Sequence, residues 1–190
     1  MSLSLISTED RILDAALEEF LLIGFRRATV GSVAQRAGVG PATIYRRVGQ
    51  REQLVGATIA RETQRCLAEI AEAVEPYDAL DDRIAETFVA VLRVFVGHPL
   101  MVRLRELEPE SLALQLADAD ALLDLGRAWI RAEIDRAMAL GQTAVADPGA
   151  LADVLVRFTH SVLVTPPAEL VADETRARAY ARATIAPLVR

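Results

Sequence analysis

Six arginines (Arg26, Arg27, Arg36, Arg46, Arg47 and Arg51) fall between Glu19 and Glu52, in a stretch that contains no acidic residue. A guanidinium presents paired N–H donors that match a phosphate or the O6/N7 edge of guanine. On a chain of formal net charge -6, such a basic island fits a local contact with a polyanion. A solvated charged face would show the same excess. The asymmetry is wider than the island: residues 1–65 hold nine Arg against seven acidic residues, and the remainder twelve against twenty. Lysine is absent everywhere. A bias towards GC-rich codons explains that choice better than phosphate chemistry, because Arg replaces Lys in the acidic part too.

Other chemistries find little material. Two separated histidines, one cysteine and no carboxylates clustered at ligand spacing offer no metal site. No nucleophile motif or phosphate-binding glycine loop is present, and Gly38-Val-Gly reads as a turn. No enzyme activity, catalytic residue or cofactor is therefore expected. Cys66 is either a redox sensor or a buried inert thiol. His98 precedes Pro99 in a break, exposed or capping, and His160 reads as a satisfied interface histidine rather than a ligand-binding one.

The elements that must position the arginines are helical. The 190 residues suffice for one full-sized domain, or for a small module fused to a larger one, and 52% hydrophobic content is far too apolar for a disordered chain. The single cysteine excludes an internal disulfide and suits a reducing compartment. Residues 1–10 lack a basic n-region and a sustained apolar stretch, and the most apolar window, 84–97, is too short to span a bilayer. The expectation is a soluble cytoplasmic chain with no membrane partner.

Nearly every segment repeats at helical period, without strand alternation. The first helix is expected over 8–23, capped by Ser7 or Thr8 and ended by Gly24, with Ile12, Ala16, Leu17, Phe20 and Ile23 on its buried stripe. Short helices follow over 30–37, after a Thr29 cap, and over 41–48, opened by Pro41. The fourth runs from about 51 to 74. Further helices are expected over 80–96, 100–107, 112–140 with a bend near Asp118, 148–164 and 173–188.

Residues 30–48 have the spacing of a helix-turn-helix. Ala34 is small where two helices approach, and Gly38 stands where the turn must reverse and a positive φ is easiest for glycine. Val33, Ala37, Val39 and Ile44 are apolar where the pair must pack on the first helix. In this motif the second helix enters a major groove with its first residues facing the bases, and the first crosses the backbone.

These residues, with Thr8-Glu-Asp-Arg-Ile-Leu-Asp-Ala-Ala-Leu-Glu-Glu-Phe before them and Thr43-Ile-Tyr and Gly49-Gln-Arg-Glu-Gln-Leu after, resemble the N-terminal module of tetracycline-repressor (TetR) type regulators. The resemblance covers roughly the first third of the chain. It implies an all-α protein with a helix-turn-helix domain at 1–55 and an effector-binding, dimerising helical bundle at 56–190. It implies a transcriptional repressor that binds a near-palindromic operator in double-stranded DNA as a homodimer and is released by a small-molecule effector. Carried over residue by residue, Thr29 would bind a phosphate, Thr43 and Tyr45 would face the DNA, and Arg46 would read a base. Arg47 would share that role or contact phosphate, and Arg51, where the family usually has Lys, would neutralise a phosphate. Pro41 follows Gly40 at the tip that faces the duplex, in place of the usual Ser-Lys, so a cap and a charge are lost there. Val48 replaces the usual Phe, a smaller wedge against the core.

In the second part, Phe88, Phe95, Trp129 and Phe158 either line an apolar effector cavity or form plain core. Arg103 and Arg105 would pair an acidic effector or remain solvated. Alanines at 177, 183 and 186 would let the last helix approach a second protomer closely, or pack inside its own. The alternative to a repressor is a helical small-molecule carrier or sequestering protein with a vestigial DNA module.

Overall fold

The computed structural model describes residues 7–107 and 120–190, and every regular element among them is helical. The first helix, α1 (Thr8–Ile23), begins where Ser7 Oγ accepts the Asp10 N–H at 3.0 Å and ends at Gly24, whose φ of +85° no longer continues a helix. The next, α2 (Val30–Ala37), opens with a reciprocal cap. Thr29 Oγ1 accepts the Ser32 N–H at 3.0 Å, and Ser32 Oγ accepts the Thr29 N–H at 3.1 Å. It closes at Gly38, in the left-handed region with φ +65°, and the Val39 N–H returns to the Ala34 carbonyl at 3.0 Å. Then come α3 (Pro41–Arg47), with Pro41 in its first turn, and α4 (Arg51–Val74).

Beyond these lie α5 (Leu80–Val91), which runs on into a π-helical turn at Leu92–Val96, and α6 (Pro99–Leu107). The described chain resumes with α7 (Asp120–Ala139), α8 (Pro148–Val164), α9 (Ala168–Ala172), α10 (Glu174–Thr184) and α11 (Ala186–Val189).

The chain forms two compact units: residues 7–62 with 99–107, and residues 63–98 with 120–190. The first therefore reaches past residue 55 and takes in α6, which sequence alone assigned to the bundle. Its core joins Ile12, Ala16 and Phe20 of α1 to Val33 and Ala34 of α2, Ile44 of α3, Leu54 of α4, and Leu100 and Leu104 of α6. Leu17, Ile23, Ala37, Val39 and Val48 pack around it, partly buried, and the Phe25 ring stacks on Phe20 at 4.5 Å.

In the second unit α10 packs on α5 and α7 on α8. A bidentate pair crosses the first contact, Arg178 to Glu86 (2.6 and 3.1 Å), and a second ties α5 to α7, Arg83 to Glu133 (2.6 and 3.1 Å). Arg127 and Arg157 share Asp153 and hold its carboxyl below the usual range, chiefly through the hydrogen bond from Arg157.

The structure departs from periodicity in three places. The helix expected over 80–96 widens at Leu92 into the π turn, and a Cβ at Gly97 would lie 2.6 Å from the Arg93 carbonyl oxygen, so only glycine fits its end. The final helix divides at Ile185, before Pro187, and a short α9 forms after the Pro166-Pro167 break. Of the stretch expected over 112–140, the part before residue 120, with Leu116 and the bend near Asp118, lies outside the described residues.

Two substitutions measure how firmly the corner is held. Ile44→Ala should destabilise the protein by about 2–4 kcal/mol, the transfer and cavity cost of a fully buried side chain. Gly38→Ala, which meets no atom within 4 Å, should cost about 1–2 kcal/mol from backbone conformation alone. Urea unfolding reads both; an unmoved midpoint for Ile44→Ala would mean that α3 lies outside the cooperative unit.

Candidate nucleic-acid interface

A seven-residue helix has room for one buried face. In α3 that face is Ile44, fully buried, while Pro41, Ala42, Tyr45, Arg46 and Arg47 are exposed and Thr43 is half-buried. Tyr45 is 54% exposed, a large fraction for an aromatic ring. Neither Arg46 nor Arg47 has a hydrogen bond or ion pair among the described residues. Both guanidiniums and the phenol are thus available to an outside partner. Gly40 supplies no side-chain cap, and the Thr43 N–H reaches the Gly40 carbonyl at 2.8 Å instead.

Thr29 occupies the start of α2, where its hydroxyl oxygen is taken by the Ser32 N–H. Its hydroxyl proton is left, together with the N–H groups of Val30 and Gly31, which have no acceptor inside the helix. That combination suits an anion.

The structure redistributes the six arginines. Arg36 stays exposed but is paired with α1: its Nη2 and Nε donate to Glu19 at 2.9 and 3.1 Å and its Nη1 to Glu18 at 3.2 Å, and the hydrogen bond to Glu19 raises its pKa above the usual arginine value. Both acids stand just before the acid-free window and are paired with it only through folding. Arg51, expected on a phosphate, points its Nε and Nη2 at two backbone carbonyls, those of Ala28 (3.3 Å) and Phe25. Arg26 and Arg27 are exposed at the corner before α2. No pattern of residue types announced either pairing.

The four aromatic residues that read either as cavity lining or as plain core fall into two core clusters. Phe88 stacks near Phe158 (6.4 Å) and Tyr180 (5.6 Å), whereas Phe95 and Trp129 pack in a separate cluster with Cys66 and Ile70. A cleft of about 260 Å³ opens instead beside the π turn, walled by Val89, Leu92, Val96, Leu170 and Ala177, with Arg93 at its edge. Ala177 and Ala186 are buried within their own chain, and Ala183 is exposed. Cys66 is buried. The His160 Nε2 is enclosed without a hydrogen-bond partner among the described residues. Among those residues no cluster of His, Cys, Asp and Glu could hold a metal, and no single helix is long and apolar enough to cross a membrane.

Residues 12–58 match the sequence profile of the bacterial regulatory proteins of the tetR family. The HTH-type transcriptional regulator UidR of Escherichia coli K12 is 30% identical over 95 residues, which are 50% of this chain and 48% of UidR. The chain thus spans about half the length of that relative. The whole fold resembles the TetR family repressor AlkX from Dietzia sp. strain DQ12-45-1b, with a TM-score of 0.75 at 20% identity over 96% of this chain and 95% of AlkX. It also resembles RolR in complex with resorcinol, with a TM-score of 0.69 at 14% identity over 95% of this chain and 86% of RolR. Residues 12–58 are thus the N-terminal helix-turn-helix module of tetR-family bacterial regulatory proteins, and the fold of the whole chain is similar to that of solved TetR-family structures.

Proposed function

We propose that the protein is a repressor that binds a near-palindromic operator as a homodimer and lets go when a small molecule binds its second unit. The observation that carries this reading is the outer face of α3, where Tyr45, Arg46 and Arg47 stand exposed and the two arginines lack partners of their own. Arg46 is the base reader in this proposal, with its fork on guanine O6 and N7. Tyr45, Thr43, Pro41 and Arg47 line the groove beside it, and Thr29 with the first N–H groups of α2 holds a phosphate.

One module touches too few base pairs to find a site among a genome's competitors, which gives dimerisation its physical reason. Two recognition helices about 34–36 Å apart read successive major grooves. The exposed face of α8, with Val154 at 55% and Val164 at 39% exposure and Arg157 and Ser161 between them, offers a surface for a second protomer. The cleft beside the π turn, mostly apolar, with Glu174 in its wall and Arg93 without a partner among the described residues, suits a small amphipathic effector. Effector binding would shift the dimer towards a state whose recognition helices no longer fit the groove spacing.

A gel shift with DNA from upstream of its own gene tests the reading, and a carrier with a vestigial module would give none. Arg46→Ala should weaken operator binding by about 1–3 kcal/mol and relax preference at one base position. Equal losses on operator and on random DNA would remove Arg46 from base reading. Sedimentation should give twice the chain mass, and a monomer that still shifts operator DNA would count against the dimer.

A further inference from the structure

We propose that the corner between α1 and α2 is an additional DNA-backbone contact, in which Arg27 binds a phosphate and Arg51 is the residue that positions it. The inference rests on the DNA-binding reading above.

Phe25 and Ala28 are 4% and 2% exposed, and backbone carbonyls of such buried residues need donors. Arg51 supplies them from one edge of its guanidinium, Nε to Ala28 and Nη2 to Phe25. The two carbonyls bracket Arg26 and Arg27, both exposed. Arg51 therefore grips the chain on either side of the arginine pair. The stacking of Phe25 on Phe20 at 4.5 Å and the Ala28 N–H bond to the Gly24 carbonyl at 3.1 Å fix the same corner from other directions.

Arg27 has no hydrogen bond or ion pair among the described residues, and it stands two residues before Thr29, the cap of α2. A cation held on a rigid corner loses less freedom on binding than one on a mobile loop. Two of Arg51's five N–H donors are committed to carbonyls. Its contribution to binding runs through the backbone it holds. Lysine cannot replace it there, because an ammonium lacks the flat fork that spans two carbonyls.

Phosphate contacts are indifferent to sequence, so a labelled duplex of arbitrary sequence serves as the probe, with affinity measured across a range of NaCl concentrations. Arg27→Ala should reduce the slope of log affinity against log salt by about one. Arg51→Ala should produce a similar loss, the Arg27→Ala/Arg51→Ala pair should lose no more than Arg51→Ala alone, and Arg51→Lys should fail to restore binding despite its charge. An unchanged slope for Arg27→Ala would overturn the contact. Additive losses, or rescue by Arg51→Lys, would overturn the positioning role and make Arg51 a separate phosphate ligand. Thermal unfolding of each variant separates loss of fold from loss of contact. If Arg51→Ala is unfolded at the assay temperature, Arg51→Lys read against Arg27→Ala decides. Failure of the unsubstituted protein to bind any duplex would sink the DNA-binding reading itself, a result distinct from all of these.

Discussion

A helix of seven residues does not persist in water by itself, because its few intrahelical bonds do not offset the cost of nucleation. The structure meets that constraint in α3 with Ile44, fully buried among Ile12, Ala16, Phe20, Val33 and Leu54. With only one deeply buried position, the rest of α3 is left outside. Its exposed phenol and guanidiniums are a geometric result of anchoring so short an element from one side. A longer or more deeply packed helix would bury some of the groups on which recognition is proposed to depend.

The corner is braced from several directions, and the braces differ in kind. Gly38 makes the reversal between α2 and α3 by a left-handed φ, Thr29 and Ser32 satisfy each other's N–H at the start of α2, and Arg36 joins α2 to Glu18 and Glu19 of α1. Arg61 adds a further tie, donating to the Asp10 carbonyl at 3.0 Å and to Asp14 at 2.8 Å. Backbone conformation, capping and ion pairing thus converge on one arrangement, the consistency across levels expected of a sequence with a single folded state.

Much of the first unit was legible because its boundaries are written in residues with one dominant local behaviour. Ser7 and Thr29 cap, Gly24 and Gly38 terminate, Pro41 opens, and the apolar spacing on α1 points to the core. What escaped reading depends on distance along the chain. Arg36 meets Glu19 seventeen residues away, and Arg51 meets the Phe25 carbonyl across twenty-six, so a charge window could not reveal that both have partners within the protein. The inclusion of Leu100 and Leu104 in the first core is equally non-local. The π turn escaped because 80–96 keeps its apolar pattern through it; the one trace is Gly97, needed where the chain passes the Arg93 carbonyl. The aromatic residues could be read as cavity lining or as plain core, and of the two the rings take the second, since large rings fill cores and these fill two.

The pairing of Arg36 with two acids also bears on how such a protein searches a genome. Attraction to arbitrary duplex scales with the cations free to displace condensed counterions, and a guanidinium already neutralised by Glu18 and Glu19 contributes little. The basic island is therefore electrostatically smaller than its composition, so a molecule carrying it would dwell more briefly on wrong sequences, and a correct one would stand out against a lower background.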